Sequence, residues 1–380
     1  VLQSLTLSER TGADVVLKAE NLQRTGSFKI RGALNKLAAL GEGCARGVTA
    51  GSAGNHAWAL AQAAHARGVP CEVFMPAGAP IAKAEGCVAL GARVRYVGES
   101  VHEAVAAARE CAVEAGMAFV HPFDDPDVVA GQGTLGVELL EEVPELAKVV
   151  VPVGGGGLAS GVAIAVKAAR PEVQVVGVQV DTVAAFPESL RRGEPVTVRS
   201  ALTIADGIAV KRPGDLTLPL IREWLDGVVV VPEDDVAEAM VLLMEKAKLV
   251  VEGAGAVGVA ALLGGQTAAA EHGTTVVILS GGNVDAGLLA TVARRHESEA
   301  GRRLVLYSRV PDSPGSLARL LGLVGEAGAN LVDVEHLREG VDLHVRETGV
   351  QLVLETRSRA HADEVLRAVR DAGYEARVMH

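Results

Sequence analysis

Short β-forming runs, apolar along their whole length rather than at alternate positions, recur down the chain: Val15–Ala19, Gly47–Gly51, Cys71–Pro76, Val94–Val97, Val149–Val153, Val173–Val178, Val228–Val231 and Thr275–Leu279. Between several of them lie alanine-rich segments of 3.6-residue period, such as Asn55–Gly68, Val101–Gly116 and Leu158–Arg170. A strand apolar on both sides must be covered on both faces, and a helix following each strand supplies the cover. The pattern predicts an α/β protein with parallel sheets. At 380 residues, 49% of them hydrophobic, the chain is long enough for two or three domains.

The periodicity breaks near residue 295. Arg294 to Arg303 is a charged stretch with almost no apolar content, which places a linker at 296–303 and a first domain at 1–295. Beyond it the pattern reads strand Leu304–Val310, helix Pro314–Ala327 and strand Asn330–Leu337. A turn near Glu339-Gly340 then leads to strand Gly349–Thr356, helix Arg359–Ala372 and strand Glu375–Met379. This βαββαβ order over 304–380 is the ferredoxin-like arrangement.

Composition removes several functional classes. The 36 Lys and Arg against 47 Asp and Glu leave a net charge of −11, which disfavours phosphate backbones and anionic lipid surfaces, so no nucleic-acid or membrane partner is expected. Three uncharged stretches, 47–66, 149–166 and 253–270, contain glycine pairs or polar residues such as Ser52, Asn55 and Gln62 and do not read as membrane spans. The chain starts at Val1 rather than Met, which implies a missing leader or short native segment, and no signal peptide is visible. Cys44, Cys71, Cys87 and Cys111 form neither a C-x-x-C pair nor a metal-ligand pattern, so reduced thiols and a cytoplasmic location are expected. The 44 glycines against ten aromatics suggest backbone that approaches a ligand closely, in a site that needs one ring.

Four motifs carry chemistry. Gly154-Gly155-Gly156-Gly157 lies between the strand Val149–Val153 and the helix starting at Leu158, where backbone N–H groups and a helix N-terminus can cradle a phosphate. Thr25-Gly26-Ser27-Phe28-Lys29-Ile30-Arg31-Gly32-Ala33 sets a lysine at a helix start. With only nine Lys against 27 Arg in the chain, Lys29 is not the default cation, and an amine that can lose its proton suits Schiff-base chemistry as Arg cannot. Gly51-Ser52-Ala53-Gly54-Asn55-His56 follows a β-run and opens a helix, which suits a carboxylate or, more plainly, a helix capped by Ser52. Ser280-Gly281-Gly282-Asn283 puts a hydroxyl at the carboxyl end of a strand, where α/β sheets bind ligands.

In this order the four motifs resemble the fold-type II pyridoxal-phosphate enzymes, and within them the group of threonine ammonia-lyases (threonine dehydratases), serine dehydratases and serine racemases. The likeness runs over about 1–295 and implies a two-lobed catalytic unit with parallel sheets like those of the tryptophan synthase β subunit, the smaller lobe at about 47–124 inserted in the larger. Asp312-x-Pro314-Gly315-Ser316-Leu317 after the first strand of the last segment resembles the ACT domain, a regulatory module that binds amino acids.

The resemblance implies these roles. Lys29 bonds covalently to pyridoxal 5′-phosphate and later removes the substrate's α-proton; Phe28 lies against the ring; Asn55 meets its 3′-oxygen; Gly154, Gly155, Gly156, Gly157 and Leu158 hold the phosphate; Ser280 meets the pyridine nitrogen. A hydroxyl there, unlike an aspartate, does not hold a proton on that nitrogen, which favours rapid loss of a β-leaving group. Ser52, Ala53, Asn55 and His56 would fix the substrate carboxylate, Asp206 and Gly207 face the substrate, and Glu252 is a further polar neighbour or an ordinary structural carboxylate. The implied reaction converts L-threonine to 2-oxobutanoate and ammonia, with L-serine as a second substrate. Serine dehydratase is the alternative; a sulfhydrylase fits its lysine and asparagine motifs less well, and a non-catalytic amino-acid sensor is the rival of another class. Racemases carry a serine where this chain has Ala53, and an acidic metal site where it has Gln179 and Ala185, with Asp181 out of register, so neither racemisation nor a metal is expected. The tail implies a branched-chain amino-acid effector bound between paired domains near Asp312, Pro314, Gly315, Ser316, Leu317 and Asn330, and a homo-oligomer, dimer or tetramer.

Overall fold

The computed structural model describes residues 1–79, 81–199, 202–338 and 343–379, and divides the chain into two units, Val1–Val284 and Asp285–His380. The turn expected at Glu339-Gly340 lies outside the described residues.

The first unit holds two sheets. The larger runs Leu2–Gln3, Asp14–Ala19, Thr274–Leu279, Leu146–Pro152, Gln174–Val180, Gly227–Val231 in spatial order. All its pairings are parallel except the edge pair of Leu2–Gln3 with Asp14–Ala19. The smaller sheet is parallel throughout, Arg93–Tyr96, Cys71–Met75, Val48–Gly51, Ala118–Phe119, so the chain enters it at Val48 and leaves after Phe119. Central strands such as Thr274–Leu279 are buried at every position, as their uninterrupted apolar runs require. The four cysteines are free and buried, and burial pushes the thiols of Cys71 and Cys87 up, to about 12 and about 11.

The lysine motif is anchored by an ion-pair cluster. Helix Lys29–Leu40 packs on helix Pro126–Glu142 so closely that a Cβ on Gly131 would stand 2.6 Å from Gly32 Cα. Arg31 spans the seam, giving two hydrogen bonds to Glu20 (2.7 and 2.9 Å) and two to Glu138 (2.6 and 2.7 Å). The guanidinium holds the Glu138 carboxyl down at about 2. Arg31 is 10% exposed and Glu20 3%, so Arg31→Met would strand a buried carboxylate. Such a loss costs about 3–5 kcal/mol and lowers the thermal midpoint by several degrees, measurable by calorimetry.

The second unit is an antiparallel sheet in the order Asn330–Leu337, Glu347–Glu355, Arg303–Pro311, Ala376–Val378, with helices Ser316–Glu326 and Arg359–Asp371. Leu306, Val324, Leu352 and Val365 are among its core residues. The βαββαβ order thus closes as a ferredoxin-like sheet. The stretch expected as a linker, 296–303, begins in the last turn of a helix, Ala286–Glu299, opened by Asp285, whose side chain accepts from the Gly287 and Leu288 N–H groups. Its charged last turns are solvent-exposed backbone helix, which charge composition alone does not distinguish from a connector.

Candidate active site

Helices Lys29–Leu40, Asn55–Arg67 and Gly157–Ala169 each begin without a side-chain cap, and Lys29, Asn55 and Gly157 all line one cleft of about 410 Å³ in the first unit. Uncapped helix starts leave amides and partial positive charge for anions, so the cleft suits a ligand with anionic groups in an acidic chain. Ser52 is not the cap; the cap position is Gly54, whose N–H donates to Ser52 Oγ at 3.2 Å.

Lys29 Nζ donates to the Pro122 carbonyl at 2.8 Å and lies 5.1 Å from the centre of the Phe28 ring. Burial lowers its pKa to about 8, against an opposing pull from the Glu252 carboxylate. At neutral to mildly alkaline pH a substantial fraction is therefore a free nucleophilic amine.

The tetraglycine turns from Pro152 into helix Gly157–Ala169 with Gly156 at φ +97°, a left-handed conformation that favours glycine. A Cβ on Gly155 would overlap the Phe123 ring, and one on Gly157 would meet the Phe123 carbonyl at 2.9 Å. Thr217 Oγ1 donates to Gly155 O at 2.6 Å, and Asp124 accepts from the N–H groups of Asp215, Leu216 and Thr217. Leu158 also lines the cleft.

Asn55 is fixed at both ends of its amide: Asn283 Nδ2 donates to Asn55 Oδ1, and Asn55 Nδ2 donates to Glu252 Oε1, each at 2.8 Å. One Asn55 N–H remains for a ligand. Glu252 is buried, and desolvation with the nearby Asp206 charge raises its pKa to about 7. Ser280 is buried with Oγ reaching only the Ala254 carbonyl, at 3.4 Å, a weak bond that leaves the hydroxyl available. Its carbonyl accepts from Phe28 N–H at 3.0 Å, which ties the serine directly to the lysine motif.

Ser52, Ala53, Asp206 and Gly207 line the same cleft. His56 does too, but it is buried with Nε2 against the Val120 carbonyl at 3.0 Å, and burial with the Lys29 charge holds its pKa near 3. It is neutral, so it brings no charge to a carboxylate. Gln179 is a strut: its amide donates to the Val153 carbonyl and accepts from Phe186 N–H. Among the described residues no group of three or more His, Cys, Asp or Glu is placed to hold a metal.

Sequence reading missed Pro122, Phe123, Asp124, Thr217 and Lys83. The expectation of a single ring is corrected, since Phe123 joins Phe28 in the cleft wall and His121 packs edge-on to it at 4.7 Å. The His121-Pro122-Phe123 turn after the Ala118–Phe119 strand was the available signal, as it sits at a strand's carboxyl end. In the second unit, Gly315 at φ +85° precedes helix Ser316–Glu326, and the Asp312 carboxylate pairs with Arg338 at 3.0 Å. Pro314 precedes that glycine, Ser316 Oγ lies 2.9 Å from Ser313 Oγ, Leu317 packs on the core, and Asn330 Nδ2 donates to Glu355 at 3.2 Å.

These residues fit pyridoxal phosphate: a glycine cradle without side chains for a phosphate, an under-bonded buried hydroxyl for a ring nitrogen, a free amide N–H and a desolvated amine. Comparison with known proteins agrees. The family model described as pyridoxal-phosphate dependent enzyme matches residues 1–281. An L-threonine ammonia-lyase of Thermotoga maritima is 45% identical over 377 residues, 99% of this chain and 94% of that protein. The structure of maize serine racemase is similar with a TM-score of 0.73 at 36% identity, over 79% of this chain and 92% of that one. That of threonine deaminase isoform 2 from Solanum lycopersicum also has a TM-score of 0.73, at 34% identity, over 77% and 81%. The chain belongs to the family of pyridoxal-phosphate dependent enzymes.

Proposed function

We propose that this protein is an ammonia-lyase that converts L-threonine to 2-oxobutanoate and ammonia, acts on L-serine as well, and carries an amino-acid-responsive ACT-like domain. The observation that carries the reading is that Lys29, a desolvated amine, shares one cleft with the tetraglycine turn and the under-bonded Ser280. The identity to the Thermotoga threonine ammonia-lyase, which spans both units, supports the substrate and the paired architecture.

Bound pyridoxal phosphate supplies an aldehyde for the substrate amine and a ring that draws electron density from the α-carbon. The uncapped amides of Gly157 and Leu158 would hold the phosphate, Asn55 would orient the ring oxygen, Phe28 would flank the ring and Ser280, a hydroxyl rather than a carboxylate, would meet its nitrogen. Lys29 would hold the cofactor's aldehyde carbon and, as a free amine, would take the α-proton, for which its lowered pKa suits a base working near neutrality. Ser52 and the backbone amides of Asn55 and its neighbours at the Asn55–Arg67 helix start bind the carboxylate, while neutral His56 ties that helix to the Val120 carbonyl. Ala53 offers no proton carrier, which favours elimination over racemisation. Asp206 and Gly207 close the substrate side.

In the second unit, the Asp312-x-Pro314-Gly315 turn and Ser316, Leu317 and Asn330 would take a branched-chain amino acid between paired domains. The catalytic unit would span 1–284, with 286–299 belonging to the regulatory part. The enzyme is proposed to be cytoplasmic and homo-oligomeric; among the described residues no helix is long and apolar enough to cross a membrane.

A steady-state comparison of threonine and serine, with and without isoleucine or valine, tests the whole reading on the full chain and on a chain ending at Val284. Expected is 2-oxo acid formation from both substrates, with kcat/KM for threonine higher by no more than the roughly 10- to 200-fold a methyl group can supply. Amino-acid sensitivity should be confined to the full chain. Formation of no 2-oxo acid would overturn the activity; unchanged isoleucine sensitivity in the shorter chain would overturn the regulatory role.

A further inference from the structure

We propose that Lys83 recognises the charge of the substrate's α-carboxylate, exchanging its ion pair with Asp206 for one with the substrate; this rests on the proposed amino-acid lyase reading. Among the described residues that line the cleft, Lys29 and Lys83 are the only Lys or Arg. Lys29 is committed to the cofactor and the α-proton, and His56 is neutral. A carboxylate bound only by Ser52, Asn55 and helix amides would have no full positive charge beside it.

Lys83 is placed to supply that charge. It sits in the first turn of helix Ile81–Ala89 and is only 20% exposed. Among the described residues other than its two chain neighbours, a Cβ built on Gly54, the cap position of the Asn55–Arg67 helix, would find one atom within 4 Å: the Lys83 ammonium nitrogen, at 3.8 Å. The ammonium thus stands over the glycine at the centre of the Ser52–Asn55 turn, beside an uncapped helix start. Two independent sources of positive potential, a helix terminus and a mostly buried ammonium, converge on one spot.

The Lys83 partner in the structure is loosely held. Asp206 Oδ2 is 3.6 Å from Lys83 Nζ, beyond hydrogen-bond length, and Asp206 is 65% exposed. Asp206 belongs to the short turn Asp206–Ile208, in sequence far from the Ile81–Ala89 helix. A substrate carboxylate seated on the Ser52–Asn55 turn can displace this carboxylate, which then faces water at little cost. The pairing holds Lys83 over the turn before substrate arrives and selects amino acids over amines or amides that lack the acid group.

The test uses the holoenzyme and two ligands: 2-aminobutanoate, which keeps the amine, carboxylate and methyl of threonine but has no hydroxyl to lose, and its amide, which lacks the negative charge. Dissociation constants come from titrating the visible absorbance of the bound cofactor, alongside KM and kcat for threonine. Lys83→Met is expected to weaken 2-aminobutanoate roughly 10- to 100-fold, the range of a hydrogen bond to a charged group, while the amide changes less than about twofold. KM for threonine should rise more than kcat falls, Lys83→Arg should restore most of the affinity, and Asp206→Asn should tighten the acid by freeing Lys83. If Lys83→Met weakens acid and amide alike, or if Lys83→Met and Asp206→Asn weaken the acid together, the pair is only a clasp across the cleft and the proposal is overturned. A wild-type holoenzyme that forms no 2-oxobutanoate from threonine overturns the lyase reading instead, while the acid-against-amide titration still decides the role of Lys83.

Discussion

Lys29→Ala is expected to lower 2-oxobutanoate formation by at least about 10³-fold, because one side chain serves as both the covalent anchor and the proton carrier. The visible absorbance of lysine-bound cofactor should vanish as well, and saturating pyridoxal phosphate should restore neither. Lys29→Arg should be equally inactive, since a guanidinium does not release its proton. In the wild-type apoprotein, the rate of cofactor capture should climb with pH with its midpoint near 8, where half of the buried amine is neutral, and level off above it. An ordinary lysine would keep gaining up to 10.5, its unshifted value. Because the Glu252 carboxylate pulls the Lys29 pKa upward, Glu252→Gln should move this midpoint further down. Retained ammonia release by Lys29→Ala, or capture that rises without a plateau, would contradict the assignment.

Gly155→Ala should act on cofactor binding rather than on the proton transfers. Its methyl group would overlap the Phe123 ring, which can yield only into the cofactor cleft: His121 packs on it edge-on at 4.7 Å, and the following Asp124 caps the Asp215–Thr217 turn. Overpacking of this kind costs about 1–3 kcal/mol, so the dissociation constant for pyridoxal phosphate should rise roughly 10- to 100-fold. Unlike Lys29→Ala, most activity should return at saturating cofactor. Gly12→Ala is the control: Gly12 has a positive φ of 69°, a backbone strain that Gly155 does not carry, but open space around its Cβ position. It should cost some stability and leave cofactor affinity as it was. Equal cofactor affinity in Gly155→Ala and the wild type, by equilibrium dialysis, would show that the turn is not the cradle.

The parts of the candidate site that could be read in advance are those whose chemistry lies within a few consecutive residues at a strand end or a helix start. Phe28-Lys29, Ser52 to His56, the four glycines and Ser280 are each contiguous, and their order along the chain carried the family resemblance that joined them. Phe123, Thr217 and Lys83 have no such local signature. Phe123 matters because Gly155 lies against it, Thr217 because its hydroxyl reaches the Gly155 carbonyl, and Lys83 because it stands over Gly54. The same limit applies around 295, where the chain is helical over Ala286–Glu299 and the compact units divide at Val284, since charge density describes solvation and not whether backbone N–H groups are bonded in a helix.

Sequence alone determined the fold class, because strand and helix periods are local, and it determined which functional groups were present, because residue identity is. The tertiary structure decided what those groups are able to do. Burial made Lys29 a nucleophile near pH 8 and kept His56 uncharged; proximity to Asp206 raised Glu252 to about 7; and the approach of two elements far apart in the chain set Lys83 over the Ser52–Asn55 turn. Desolvation and charge–charge energies depend on distances across the folded cleft, and no spacing along the chain contains them.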